Sequence, residues 1–114
     1  MLEKIEHIIL LFDFYGPLLT EKQQRAINLH YENDFSFSEI AQHLHISRQA
    51  VYDLLKRAVT LLEEYEARLH LVEKFSRTQQ ELKSVYMLLN KGEELDRRDI
   101  AQAVNIIRTT LESD

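Results

Sequence analysis

Six residues between positions 47 and 57 carry side chains suited to touching a nucleic acid: Ser47, Arg48, Gln49, Tyr52, Lys56 and Arg57. Arg and Gln present paired hydrogen-bonding groups that match purine edges, while a Ser at a helix start and a Lys reach phosphate oxygens. That chemistry is recognition, not reaction. Residues 48–57 hold Arg48, Lys56 and Arg57 against Asp53, a net charge of +2. Asp53 sits near the middle of the set and repels phosphate unless it pairs with Arg57, four residues on. The same polar residues suit a face that meets only protein, or plain solvated surface, so both alternatives stay open.

Other constellations point away from catalysis. His43 and His45 are two apart, which on a helix aims them to different sides, and His7, His30 and His70 show no metal-ligand spacing. There is no HExxH and no cysteine. The expectation is therefore no metal and no cofactor. Ser47 is explained by helix capping. Glu63, Glu64 and Glu66 read as a solvated face, and no glycine-rich loop exists to cradle a nucleotide phosphate. The chain reads as a non-enzyme.

Six helices must position the polar set. Residues 2–15 place Leu2, Ile5, Ile8, Ile9, Phe12 and Tyr15 on one stripe, widened by Leu10, Leu11 and Phe14. A helix this apolar needs cover, from its own core or from another copy. Gly16-Pro17 ends it. Thr20 with Gln23 fits a capping box opening a second helix that reaches about Tyr31. Ser36 with Glu39 fits another, opening a third helix whose Ile40, Ala41 and Leu44 face inward. Ser47 caps a fourth helix with Val51, Leu54, Leu55, Ala58, Leu61, Leu62 and Tyr65 at helical spacing. Its far half, residues 58–69, is longer than groove reading needs and implies a packing partner. Residues 71–90 form a fifth helix, stopped by Lys91-Gly92. Asp96 caps a sixth, with Ile100, Ala103, Val104, Ile107 and Leu111 on one face and Asp99 in the dipole-favoured first turn. The last two helices make a hairpin suited to dimerisation or partner docking. Phe12, Phe14, Tyr15, Tyr31, Phe35 and Phe37 have core spacing, whereas Tyr52 lies on the polar face.

The third and fourth helices, joined at His45-Ile46, have the layout of a helix-turn-helix. Ala41 is the small residue where the two helices cross. The backbone at His45 must turn left-handed, which for a non-glycine residue costs on the order of 1 kcal/mol.

Composition agrees with a small helical protein. The chain has 114 residues, two glycines and one proline, and 45% hydrophobic residues, enough for a core. Net charge is −5, spread as −2 over residues 1–19, −2 over 20–69 and −1 over 70–114. The positive segment is an island in an acidic molecule, so non-specific DNA affinity is expected to be weak. MLEKIEHIILLF is too short and too acidic for a signal peptide, and no stretch approaches the roughly 20 apolar residues of a membrane span. The expectation is a cytoplasmic protein with no membrane insertion.

With LFDFYGPLLTEKQQ and SFSEIAQHLHISRQAVYDLLKR in hand, the chain resembles the YlxM family of small bacterial helix-turn-helix proteins over most of its length. Its motif is also similar to region 4 of sigma factors, which reads promoter DNA. Genes of the YlxM family commonly sit beside that of the signal recognition particle GTPase. The resemblance thus implies a regulatory part in that pathway, with its GTPase or RNA as partner. It implies no catalytic residue, and carries over only Arg48, Gln49, Tyr52, Lys56 and Arg57 as a binding face.

The resulting expectation is an all-α protein: a sigma region 4-like helix-turn-helix three-helix core with a long C-terminal helical hairpin. An apolar helix spans 1–17, a helix-turn-helix domain 18–69 and the hairpin 70–114. The chain is expected to dimerise and to bind DNA, RNA or a protein of the signal recognition particle pathway.

Overall fold

The computed structural model describes residues 2–113 and is all-α. The helices are α1 (Leu2–Tyr15), α2 (Glu21–Ile27), α3 (Phe37–Leu44), α4 (Arg48–Leu69), α5 (Leu71–Leu89) and α6 (Arg97–Glu112). The chain divides into two compact units, residues 1–72 and 73–114.

In the first unit α1, α2 and α3 all pack on α4. Val51, Leu55, Ala58 and Leu62 form its inward ridge at helical spacing, all buried. Ile8, Leu11 and Tyr15 of α1, Ala26 and Ile27 of α2, and Ile40 of α3 close over that ridge. The apolar first helix is thus covered by its own chain. The far half of α4, expected to need a partner, has one in α1: the Tyr15 and Tyr65 rings stand 5.9 Å apart. Leu2, assigned to the α1 stripe by spacing, has its side chain outside the described ones. The aromatic set packs as its spacing implies, with Tyr15 buried and Phe12, Phe14, Tyr31, Phe35 and Phe37 half-buried against the core.

The second helix differs from expectation. After Ile27 the backbone widens into a π turn over Asn28–Glu32 instead of continuing as α-helix to Tyr31. Polar side chains hold the wide turn: Asn28 donates to Glu32 at 2.5 Å, and the Asn33 amide donates to the Asn28 carbonyl and side-chain oxygens. Leu29, His30 and Tyr31 are thereby all half-buried, and His30 Nδ1 donates to the Phe35 carbonyl at 2.9 Å.

The α4–α5 junction is tied to the end of α1. Tyr15 donates its hydroxyl to Glu66 Oε1 at 2.5 Å and accepts the Leu71 amide at 3.1 Å, while Glu66 Oε1 also accepts the Val72 amide at 2.9 Å. His70, left-handed at φ 55°, separates the two helices.

The second unit holds most of α5 and all of α6, joined through Gly92, whose φ of +63° suits glycine. The ordered pair at its turn is Lys91 and Asp99, 2.8 Å apart. Asp99 does more than face the helix dipole. It closes a capping box with Asp96, and the Lys91 ammonium, then the Asp96 backbone, hold its carboxyl below the usual range. Thr110 donates to Glu81 nearer the open end of the hairpin. No helix among the described residues is long and apolar enough to cross a membrane.

Candidate nucleic-acid interface

The motif forms through local capping. Ser36 accepts the Glu39 amide at 3.1 Å and Glu39 accepts the Ser36 amide at 2.8 Å, so two orphan donors at the start of α3 are satisfied reciprocally. Those bonds to Ser36 hold the Glu39 carboxyl below its ordinary value. α3 ends at His45 in the left-handed conformation, φ 59° and ψ 46°, with its amide on the Ala41 carbonyl. The Ile46 amide reaches the same carbonyl at 3.0 Å. His45→Gly is expected to raise stability by about 0.5–1 kcal/mol by removing the Cβ strain, measured by denaturant unfolding at constant m-value.

Ser47 then caps α4 by accepting the Ala50 amide at 3.0 Å. Its oxygen is committed as an acceptor, but its hydroxyl hydrogen remains able to meet a phosphate. Arg48, Gln49, Tyr52, Lys56 and Arg57 are all exposed, and all lie on the first ten residues of α4. The helix therefore has a core ridge on one side and the whole candidate set on its free sides. The Lys56 ammonium stands 5.9 Å from the centre of the Tyr52 ring. Tyr52 also rests on Phe37, ring centres 6.3 Å apart, so the core fixes its position while leaving it 46% exposed.

Asp53 does not make the pair with Arg57 that would offset its repulsion of phosphate. It accepts the Gln49 side-chain amide at 3.3 Å, and among the described residues no ion pair joins it to Arg57. Arg57 stays available, while Gln49 is partly engaged and a carboxylate occupies the middle of the face.

Two residues from outside the motif border the candidate face. Lys4 of α1 lines a cleft together with Tyr52, Lys56, Thr60 and Glu63. Tyr31 shares this cleft. Burial, then the nearby Glu63 charge, push its phenol up. On the other flank Gln23 shares a shallow depression with Lys56, Arg57 and Thr60. Only tertiary packing brings Lys4 and Gln23 here, so no local sequence signal marks them.

A family model described as "Putative helix-turn-helix protein, YlxM / p13 like" matches residues 2–106. A UPF0122 protein of Bacillus mycoides (strain KBAB4) is 43% identical over 107 residues, 94% of this chain and 96% of the relative. Another from Bacillus cereus (strain AH187) is 42% identical over the same length. One from Limosilactobacillus reuteri (strain DSM 20016) is 53% identical over 74 residues, 65% of this chain and 66% of the relative, just under two thirds of that relative's length.

Proposed function

This chain belongs to the YlxM / p13-like helix-turn-helix family, and from that premise we propose a cytoplasmic, non-enzymatic regulatory protein that binds nucleic acid through residues 18–69. The single observation that carries the reading is the free side of α4. A capped, solvent-facing helix start presents Ser47, Arg48, Gln49, Tyr52, Lys56 and Arg57 while its opposite side is locked in the core. Arg48 and Gln49 are assigned to base edges, Ser47, Lys56 and Arg57 to phosphates, and Tyr52 to sugar or base stacking. Lys4 extends the phosphate-contacting side. The hairpin at 70–114 serves self-association, so the active form is a homodimer. Participation in the signal recognition particle pathway is part of the proposal and rests on the family resemblance alone.

Fluorescence anisotropy against duplex DNA and signal recognition particle RNA, over a salt series, tests this reading. The three cations of the phosphate-contacting side, Lys4, Lys56 and Arg57, predict an affinity loss of about 40-fold between roughly 50 and 200 mM salt on duplex DNA. Arg48→Ala, Lys56→Ala and Arg57→Ala together are expected to weaken binding about 10–100-fold and flatten the salt response. Unchanged binding by that triple variant would overturn the assigned face.

A second reading has its own support. Asp53 in the middle of the face and a net charge of −5 suit a protein partner better than a phosphate backbone. In that reading the same face docks on the signal recognition particle GTPase with no direct DNA contact. Absence of binding to either nucleic acid at low salt, with salt-tolerant binding to the GTPase, would favour it.

A further inference from the structure

We propose that one side of the α5–α6 hairpin is a self-docking face, on which a second copy of this chain lays its own hairpin to build a four-helix layer. The inference names the surface of the homodimer put forward above and rests on that part of the reading. It is independent of whether α4 binds nucleic acid.

The inward contacts of the hairpin come from Glu81, Val85 and Leu88 on α5 and from Asp99, Ala103, Ile106 and Thr110 on α6, each buried or half-buried. The apolar residues one position further along are exposed. On α5 these are Leu82, Tyr86 and Leu89, with Phe75 seven residues before Leu82 on the same stripe. On α6 they are Ile100, Val104, Ile107 and Leu111, at alternating spacings of four and three. All eight are between 40% and 80% exposed.

Geometry places both stripes together. One residue is a rotation of about 100° about a right-handed helix axis. In an antiparallel pair the same one-residue offset turns both helices' stripes to the same side. The bonds Thr110 to Glu81 and Lys91 to Asp99 fix the antiparallel register. The hairpin is therefore a two-helix sheet of side chains with one apolar face, broken on α5 by Thr78 and Gln79 between Phe75 and Leu82.

The size of that face selects its occupant. Eight side chains exposed to this extent present on the order of 700 Å², more than the largest apolar patch of an ordinary monomer, about 300–600 Å². The figure is close to the roughly 800 Å² per partner of a standard interface. Two helices alone cannot enclose a core, and of the unit's described residues only Val85, Asp99 and Ala103 are buried. A second, identical two-helix layer matches the face in width and length, and packing across a two-fold axis makes it the core of a four-helix arrangement. The stripe positions carry no charged side chain, so apposing them sets no like charges against each other.

Sedimentation equilibrium of the full chain without nucleic acid tests the proposal. The expected mass at tens of micromolar is about 27 kDa, twice the 13.5 kDa chain. Leu82→Glu with Val104→Glu is expected to raise the dimer dissociation constant at least about 100-fold with helix content retained by far-UV circular dichroism. Met87→Glu, exposed on the other side of the hairpin beside Gln80, Ser84 and Gln102, is expected to remain dimeric. If the charged pair loses helix, Leu82→Ser with Val104→Ser replaces it, and a weakened dimer is again expected. A wild-type mass of one chain at about 100 µM overturns the proposal, as does an undiminished dimer in the folded double variant. Because no nucleic acid is present, none of these results depends on the binding reading of α4.

Discussion

Shortening Leu62 to alanine is expected to lower the unfolding free energy by about 3–5 kcal/mol. Leu62 is completely buried in the cluster that joins Leu11 and Tyr15 of α1 to the ridge of α4. The loss has two parts: the transfer free energy of the removed carbons, and the cavity that rigid neighbours leave behind. The Tyr15 and Tyr65 rings and the cap at the end of α4 restrict collapse around the site, which favours the upper part of the range. A small domain has only about 5–15 kcal/mol in total, so this one change approaches global unfolding. Thermal and urea denaturation measure it. A loss under about 1 kcal/mol would mean that α1 does not pack on the far half of α4.

Tyr15→Phe is expected to cost about 2–3 kcal/mol although it removes a single oxygen. The ring stays and keeps its burial. The hydroxyl, however, donates to a carboxylate and accepts the Leu71 amide. Its removal takes a charge-assisted bond from Glu66 and strips the Leu71 N–H of its acceptor. Glu66→Gln, which keeps shape but not charge, should cost less. The phenol also predicts an alkaline limit. Burial, and after it the hydrogen bond to Glu66, raise the Tyr15 pKa above its ordinary 10.0. A group raised in the folded state gives its full contribution below the unfolded value, and that contribution disappears as pH rises through the folded value. Wild-type stability should therefore fall from about pH 10 upward, and the Tyr15→Phe protein should lack that component of the fall. Denaturant midpoints across pH 8–11 (roughly the window set by that shift) separate the two.

What the sequence revealed and what it hid divides by the range of the interaction. Thr20, Ser36, Ser47 and Asp96 cap helices through bonds to the residue three further on, so spacing alone places them. His45 was legible as the left-handed turn because it lies four residues after Ala41, where a helix-turn-helix usually turns. Asp53 has two candidates at helical distance, Gln49 before it and Arg57 after it. Periodicity cannot rank them, and the structure selects Gln49. The Asn28–Glu32 widening depends on three polar side chains closing a turn, which hydrophobic spacing does not register. Lys4 beside Tyr52, and Tyr15 on Glu66 fifty-one positions away, are products of packing and have no local trace. For the hairpin, spacing showed an apolar stripe that must meet something. Whether it faced inward or outward depended on which neighbouring row, displaced by one residue, faces the other helix.

The bond from Tyr15 to Glu66 spans fifty-one positions, and that separation governs how the chain behaves while it is being made. At synthesis rates of about 5–20 residues per second, α1 leaves the ribosome roughly 3–10 s before the half of α4 that covers it exists. The strongly apolar α1 is thus produced well before its cover and sheltered late. During that interval Ile8, Leu11 and Tyr15 lack the α4 ridge that completes their burial, and a slow stretch of translation before residue 62 would lengthen their exposure to other nascent chains and to chaperones.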